Sequence, residues 1–190
     1  LSAIDNLVQT GQADKATAYL ARFAKLIRGV LDSSKNNEVP FQKDLETLRL
    51  YLEMEQFRCN NKFSYQLTAA PELMHGDYKV PPLIIQPFIE NAIHHGLLNK
   101  QQGSRQLEVT AQLNDEHIIY SITDNGIGRK RAAELKEINR PEHQSYGIDI
   151  TIDRIKLHNK NDAINDVQIL DLEADGMAAG TKVIININCF

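Results

Sequence analysis

Polar residues set among apolar or glycine neighbours mark the stretches of this chain that could do chemistry. In Asp124-Asn125-Gly126-Ile127-Gly128 a carboxylate closes the strand-like run His117 to Thr123, and two glycines follow one residue apart. Glycine tolerates the angles of a sharp turn and lets the backbone pass close to a ligand. Asp-Asn-Gly is also an ordinary turn sequence, so the pentapeptide alone fits either use. Upstream, Glu90 and Asn91 interrupt the apolar segment Pro82 to Gly96. At helical spacing Ile84, Phe88, Asn91 and His95 share a face. The Asn91 amide thus sits on a stripe expected to be core and needs a partner, from the protein or from a ligand. His94 and His95 lie within the next turn; without nearby cysteines they have no zinc-site spacing, and a bare pair equally fits a solvated surface. Glu90 suits either polarising a nucleophile or lying partly solvated on the helix. Ser145-Tyr146-Gly147-Ile148 opens a further helix, and Gly180-Thr181 begins a last strand.

The elements that must carry these residues follow from periodicity. Asp14 to Leu31 repeats Ala18, Ala21, Phe23, Leu26, Ile27 and Val30 at three and four, an amphipathic helix. A polar link, Ser33 to Val39, leads through Pro40 to a second helix, Phe41 to Cys59, with Leu45, Leu48, Leu52, Glu55 and Cys59 along one stripe. The pair reads as an antiparallel hairpin, either a cap on the following domain or half of a dimeric bundle. Asn60-Asn61-Lys62 marks a boundary, and Phe63, Tyr65 and Leu67 alternate as a strand. Pro71 to Tyr78 reads as a loop and Val80 to Leu98 as a helix, in which Pro87 marks either the true start or a kink. Gln106 to Leu113 and His117 to Thr123 form a hairpin around Asn114-Asp115-Glu116. Gly128 to Ser145 is a charged segment with a short helix near Lys130 to Ile138, either a lid or a solvated loop. Ile148 to His158 is helical, and strands Val167 to Leu172 and Lys182 to Asn188 flank a small-residue loop, Ala174 to Gly180. This mixture predicts an α/β, two-layer (α+β) sandwich: a mixed, largely antiparallel sheet with helices on one face, preceded by the helical hairpin.

The chain has 190 residues, enough for one sizeable core plus a smaller element. Net charge is −4 and no long basic run appears, which argues against nucleic acid as a ligand. Cys59 and Cys189 make no disulfide framework and fit a reducing compartment. No apolar run is long enough for a membrane span.

In this order the segments containing Asn91, Asp124 to Gly128, Ser145 to Ile148, and Gly180-Thr181 resemble the N, G1, G2 and G3 boxes of one ATPase superfamily. Its members are gyrases, a heat-shock chaperone, sensor histidine kinases and mismatch-repair ATPases. Gln86-Pro87-Phe88-Ile89-Glu90-Asn91-Ala92-Ile93-His94-His95-Gly96 and the stretch Leu45 to Arg58 narrow the resemblance to the LytS-like branch of bacterial sensor histidine kinases. The resemblance implies that residues 1–60 are the C-terminal part of a dimerisation and phosphoacceptor region and 61–190 the ATP-binding catalytic domain. It implies ATP and Mg²⁺ as cofactors, with Asn91 holding the ion and Glu90 and Asn91 at the catalytic centre. His94 or His95 would touch the triphosphate and Asp124 would read adenine. Thr181 would share a water with Asp124, and Gly126, Gly128, Ser145, Gly147, Ile148 and Gly180 would line the nucleotide. Arg129, Lys130, Arg131 and Arg140 are candidates for phosphate contact. Ser145 stands where members commonly have glycine, which leaves open a nucleotide-sensing dimerisation module without phosphotransfer. The implied partners are a second copy of the chain, through the N-terminal helices, and a response regulator. The family's acceptor histidine lies in a segment that Leu1-Ser2-Ala3-Ile4 resembles the continuation of, so the acceptor is expected upstream of this chain, which would bind ATP without phosphorylating itself. The implied location is the cytoplasmic side of a parent anchored in the bacterial inner membrane.

Overall fold

The computed structural model describes residues 9–139, 146–160, 166–174 and 176–189. Two helices, α1 (Ala13–Ser33) and α2 (Phe41–Arg58), form the antiparallel hairpin that their periodicities predict. Tyr19 packs on Phe57 with ring centroids 4.8 Å apart, and Lys25 Nζ lies 2.6 Å from Glu46 Oε1. The two helices use their apolar surfaces differently. Phe41, Leu45, Leu48 and Leu52 of α2 enter the main core. α1 lies outside it and leaves Leu20, Phe23, Ile27 and Leu31 exposed, at 41–58% of their surface.

The sheet has five strands in the order β2-β4-β5-β7-β6, comprising β2 (Ser64–Ala69), β4 (Gln106–Asn114), β5 (His117–Asp124), β6 (Val167–Ala174) and β7 (Met177–Asn188). Only β2 and β4 run parallel; the other neighbours are antiparallel. Alternation sets the faces. Leu107, Val109 and Ala111 of β4, Ile118, Tyr120 and Ile122 of β5, and Val183, Ile185 and Ile187 of β7 all point inward. Helices cover this inner face: α2, α4 (Gln86–Asn91, continuing as a π-helical turn Ala92–Leu97) and α6 (Tyr146–His158). A second, two-stranded sheet joins β1 (Val39–Pro40) to β3 (Lys79–Val80). The α/β two-layer architecture is the one expected.

Three local readings are corrected. The segment Pro71 to Tyr78 is not all loop: Pro71–His75 forms a short helix, α3, which begins at its proline and buries Leu73 completely. Five residues are too few to show a helical period. The helix expected from Val80 begins instead at Gln86, which bears out the reading of Pro87 as its true start, because Val80 pairs with Val39 and Leu83 takes φ 55°. Pro87 therefore sits in the first turn, where its missing N–H costs nothing. The expected loop Ala174 to Gly180 is mostly strand, with β6 and β7 paired out to Ala174↔Met177 and Gly176 at φ 74° beside the tip. Small residues give no alternation to read.

Leu52 is wholly enclosed by the core. Leu52→Ala should lower the unfolding free energy by about 2–5 kcal/mol. Phe23→Ala on α1 should change it by no more than about 0.5 kcal/mol at concentrations too dilute for self-association. Urea denaturation of the two variants measures both.

Candidate functional site

A cavity of about 200 Å³ opens between α4, the inner face of β5 and β7, and the helix α5 (Gly128–Asn139). Phe88, Ala92, Ile122, Ile148, Ile169 and Val183 make its walls mainly apolar. Asn91 and His95 enter from α4, Asp124 and Thr181 from the sheet, and Arg129 from α5. A mainly apolar hollow with few, convergent polar groups suits a small ligand that carries both flat apolar surface and hydrogen-bonding edges.

Strand register places the sheet residues. β5 ends at Asp124, directly opposite Thr181 on β7. Asp124 is 4% exposed, and its Oδ1 accepts the Gly126 N–H at 2.8 Å. Burial raises its pKa to about 6 against the opposing pull of the Gly126 and Thr181 amides and of Lys100. The carboxylate is wrapped in glycines. A Cβ on Gly96 would lie 2.8 Å from Asp124 Oδ1, and one on Gly126 would lie 2.6 Å from it and overlap the Gly96 backbone. Gly180, at φ 138°, passes so close that a Cβ there would collide with the Asp124 carbonyl. The turn is tied down by Ile127 N–H to Gly96 O at 3.3 Å and by Lys100 Nζ to Asn125 O at 2.6 Å. Neither Gly96 nor Lys100 was given a role by the sequence. Gly96 stands in the same apolar segment as Asn91, and its importance lies in meeting a residue on a distant strand.

The α4 side divides in two. Asn91 and His95 face the cavity, and the Asn91 side chain has no hydrogen-bond partner among the described residues. His94 turns toward α2, with Nε2 2.9 Å from Arg58 Nη2 and 3.0 Å from Glu55 Oε2. Glu90 accepts from Gln86 Nε2 at 2.8 Å and lies near Tyr51 of α2; it does not line the cavity. Gly128, at φ 75°, starts α5 within 2.9 Å of Ala178 for a built Cβ. Around Gly147 a Cβ meets nothing within 4 Å, while Ile148 lines the cavity. Ser145 and Arg140 lie outside the described residues. Arg129 grips Asp171 with two bonds of 2.7 Å, and Arg131 pairs with Glu134 at 2.8 Å. Both members of the Arg129–Asp171 pair are half exposed. Such a pair contributes about 0–1 kcal/mol, so an anionic ligand group can compete for Arg129 at small cost.

A family model described as histidine kinase matches residues 1–63. The sensor protein LytS of Oceanobacillus iheyensis is 33% identical over 134 residues, which cover 70% of this chain and 22% of that protein. LytS of Staphylococcus epidermidis is 29% identical over 128 residues, 67% of this chain and 21% of its own length. Over about two thirds of its length the chain is homologous to LytS-like sensor histidine kinases. It spans about a fifth of the length of these curated relatives. Among solved structures, a mycobacterial sensor histidine kinase, MprB, shares the fold with a TM-score of 0.52 at 15% identity, covering 80% of this chain and 96% of its own.

Asp124 gives the site a stability cost with a definite sign. The folded chain holds this proton up to about pH 6, whereas an unfolded carboxyl releases it near its ordinary value of 3.8. Stability therefore falls as pH rises through that window. Asp124→Asn should stabilise the chain at pH 7 by roughly 1–3 kcal/mol, and the gain should vanish below about pH 4. Thermal melts of both proteins across that range test it.

Proposed function

We propose that this chain is the ATP-binding catalytic core of a LytS-like sensor histidine kinase. In this reading it passes the γ-phosphoryl of ATP to a histidine on an upstream helix, from which a response regulator takes it. The observation that carries the reading is the cavity's two polar walls. One bears a buried carboxylate at a strand end; the other bears an amide with no hydrogen-bond partner among the described residues. Asp124, above its pKa of about 6, is an acceptor suited to the exocyclic amine of adenine, and the apolar walls suit a purine ring. The amide oxygen of Asn91 is a hard ligand of the kind Mg²⁺ takes alongside phosphate oxygens and waters. Mg²⁺ would supply charge neutralisation on the phosphates. Among the described residues no three His, Cys, Asp or Glu side chains cluster, so a cation here would depend on Asn91 and on oxygens of the nucleotide.

The chain's own part is positioning. His95 and Arg129 reach the cavity and are available to the triphosphate. Gly126 and Gly128 let the backbone follow the nucleotide, and α5 with the segment beyond it would act as the lid. Glu90, held by Gln86, would orient the nucleophile's proton rather than touch the ion. An upstream imidazole nitrogen would attack the γ-phosphorus in line as the bond to the ADP oxygen breaks. The exposed apolar stripe of α1 supports a dimer through the hairpin. Residues 1–60 would then serve dimerisation and phosphoacceptance and 61–190 catalysis, with α2 joining them. No described helix is long and apolar enough to cross a membrane, and in this reading anchoring to the inner membrane belongs to other segments of the parent protein.

Melting temperatures should rise with Mg-ATP and much less with GTP or with ATP in EDTA; saturation at a hundred times Kd gives about 2.7 kcal/mol. Asn91→Ala should remove the Mg²⁺ component, and Asp124→Asn the preference for ATP over GTP. A wild-type chain insensitive to ATP would refute the site. The reaction itself is tested by mixing this chain with a longer copy that carries the upstream histidine and an Asn91→Ala substitution. The long copy should become phosphorylated in mixed dimers, and its failure to do so while nucleotide binds would exclude kinase competence.

A further inference from the structure

Helix α2 touches the segment that carries Asn91 through polar groups on one of its faces, at positions 44, 51, 55 and 58. Asp44 is buried and accepts the backbone N–H of Leu83 at 2.8 Å, in the strained turn ahead of α4. Tyr51 lies near Glu90. Arg58 donates from Nε to Glu55 Oε1 at 3.0 Å and from Nη2 to Glu55 Oε2 at 2.6 Å, and the same Nη2 lies 2.9 Å from His94 Nε2. His94 is held in either tautomer: its Nε2 accepts from Arg58 or donates to Glu55. Burial alone would raise the Glu55 carboxyl, but its hydrogen bonds to His94 and Arg58 hold it below the ordinary carboxylate value.

A brace at this place answers a local weakness. Directly after Asn91 the helix changes to π geometry, closed by Leu98 N–H to Ile93 O at 2.9 Å. A π turn gives up the regular ladder and is common where a side chain must be re-aimed. An ion ligand must stay within about 0.5 Å of its working position. The helix cannot secure this by its own hydrogen bonding there, whereas a charged pair anchored on a neighbouring core helix can.

We propose that Glu55 and Arg58 are positioning residues for Asn91: by clamping His94 to α2 they fix the π turn and so the direction in which the Asn91 amide presents its oxygen to a nucleotide-bound divalent cation. The clamp also meets the hairpin, since Tyr19 of α1 packs on Phe57 beside Arg58. A shift of α1 along α2 would reach the ion ligand through contiguous contacts rather than through the distant phosphates. The inference rests on the nucleotide reading above.

The test is calorimetric titration of the 190-residue chain with ATP in Mg²⁺ and with ATP in EDTA. Arg58→Gln and Glu55→Gln should each cut the Mg²⁺-dependent gain in affinity about tenfold or more while leaving metal-free ATP binding within about twofold of wild type. Arg58→Lys, which keeps the charge but not the fork, should not restore the gain. The double variant Arg58→Gln with His94→Gln should lose no more than either single change. An unchanged gain in both single variants, or equal loss with and without Mg²⁺, overturns the inference. A wild-type chain with no Mg²⁺-dependent gain overturns the nucleotide reading, and the inference with it.

Discussion

Everything at the site is arranged around one unfavourable act, the burial of the Asp124 carboxylate where a strand ends. An ionised group in an apolar setting survives only if donors reach it. Here the hydrogen-bond donor is the Gly126 backbone amide from its own turn, and the Thr181 amide on the neighbouring strand adds a pull in the same direction. Backbone donors come close only where side chains are absent, which explains why glycines at 96, 126 and 180 converge on one carboxylate. The β5–β7 register, the turn after Asp124 and the end of α4 all serve this requirement. Loss of any one of them would leave a charge without its solvation.

The helical hairpin shows how one pair of amphipathic helices can belong to two structures. α2 gives its leucines to the core under the sheet, so it is part of the body that holds the cavity. α1 rests on α2 through Tyr19 against Phe57 and through the close approach of Gly29 to Thr47, and it turns an apolar line outward. The cap and bundle readings left open by the sequence are therefore compatible: α2 caps, and α1 retains an unpartnered face.

Long, strongly periodic elements were legible in the sequence: both hairpin helices, the β4–β5 hairpin and the final helix appear within a few residues of their expected limits. The misses have physical causes. α3 is shorter than two turns. The start of α4 was left open between Val80 and Pro87, because Val80 looks helical by pattern yet is claimed by pairing with Val39. At the site, Asp124 and Asn91 could be singled out because each breaks an apolar or glycine-rich context. The divergence of His94 from His95 could not, since adjacent residues in an α-helix already differ in direction and the π turn adds a rotation invisible in residue types. The roles of Gly96 and Lys100 depend on tertiary approach and leave no local signal.

The single parallel pairing in the sheet constrains the order in which the molecule can be assembled. β2 meets β4 from Ser64↔Gln106 to Ala69↔Ala111, and the whole of α3, β3 and α4 lies in the connection between them. Antiparallel neighbours joined by short turns can zip locally, but this edge strand must wait until the intervening chain has found its place, because its loop-closure entropy is repaid only by distant contacts. The outermost strand is thus a late addition, and the helix bearing Asn91 is threaded into the fold as the link that permits it.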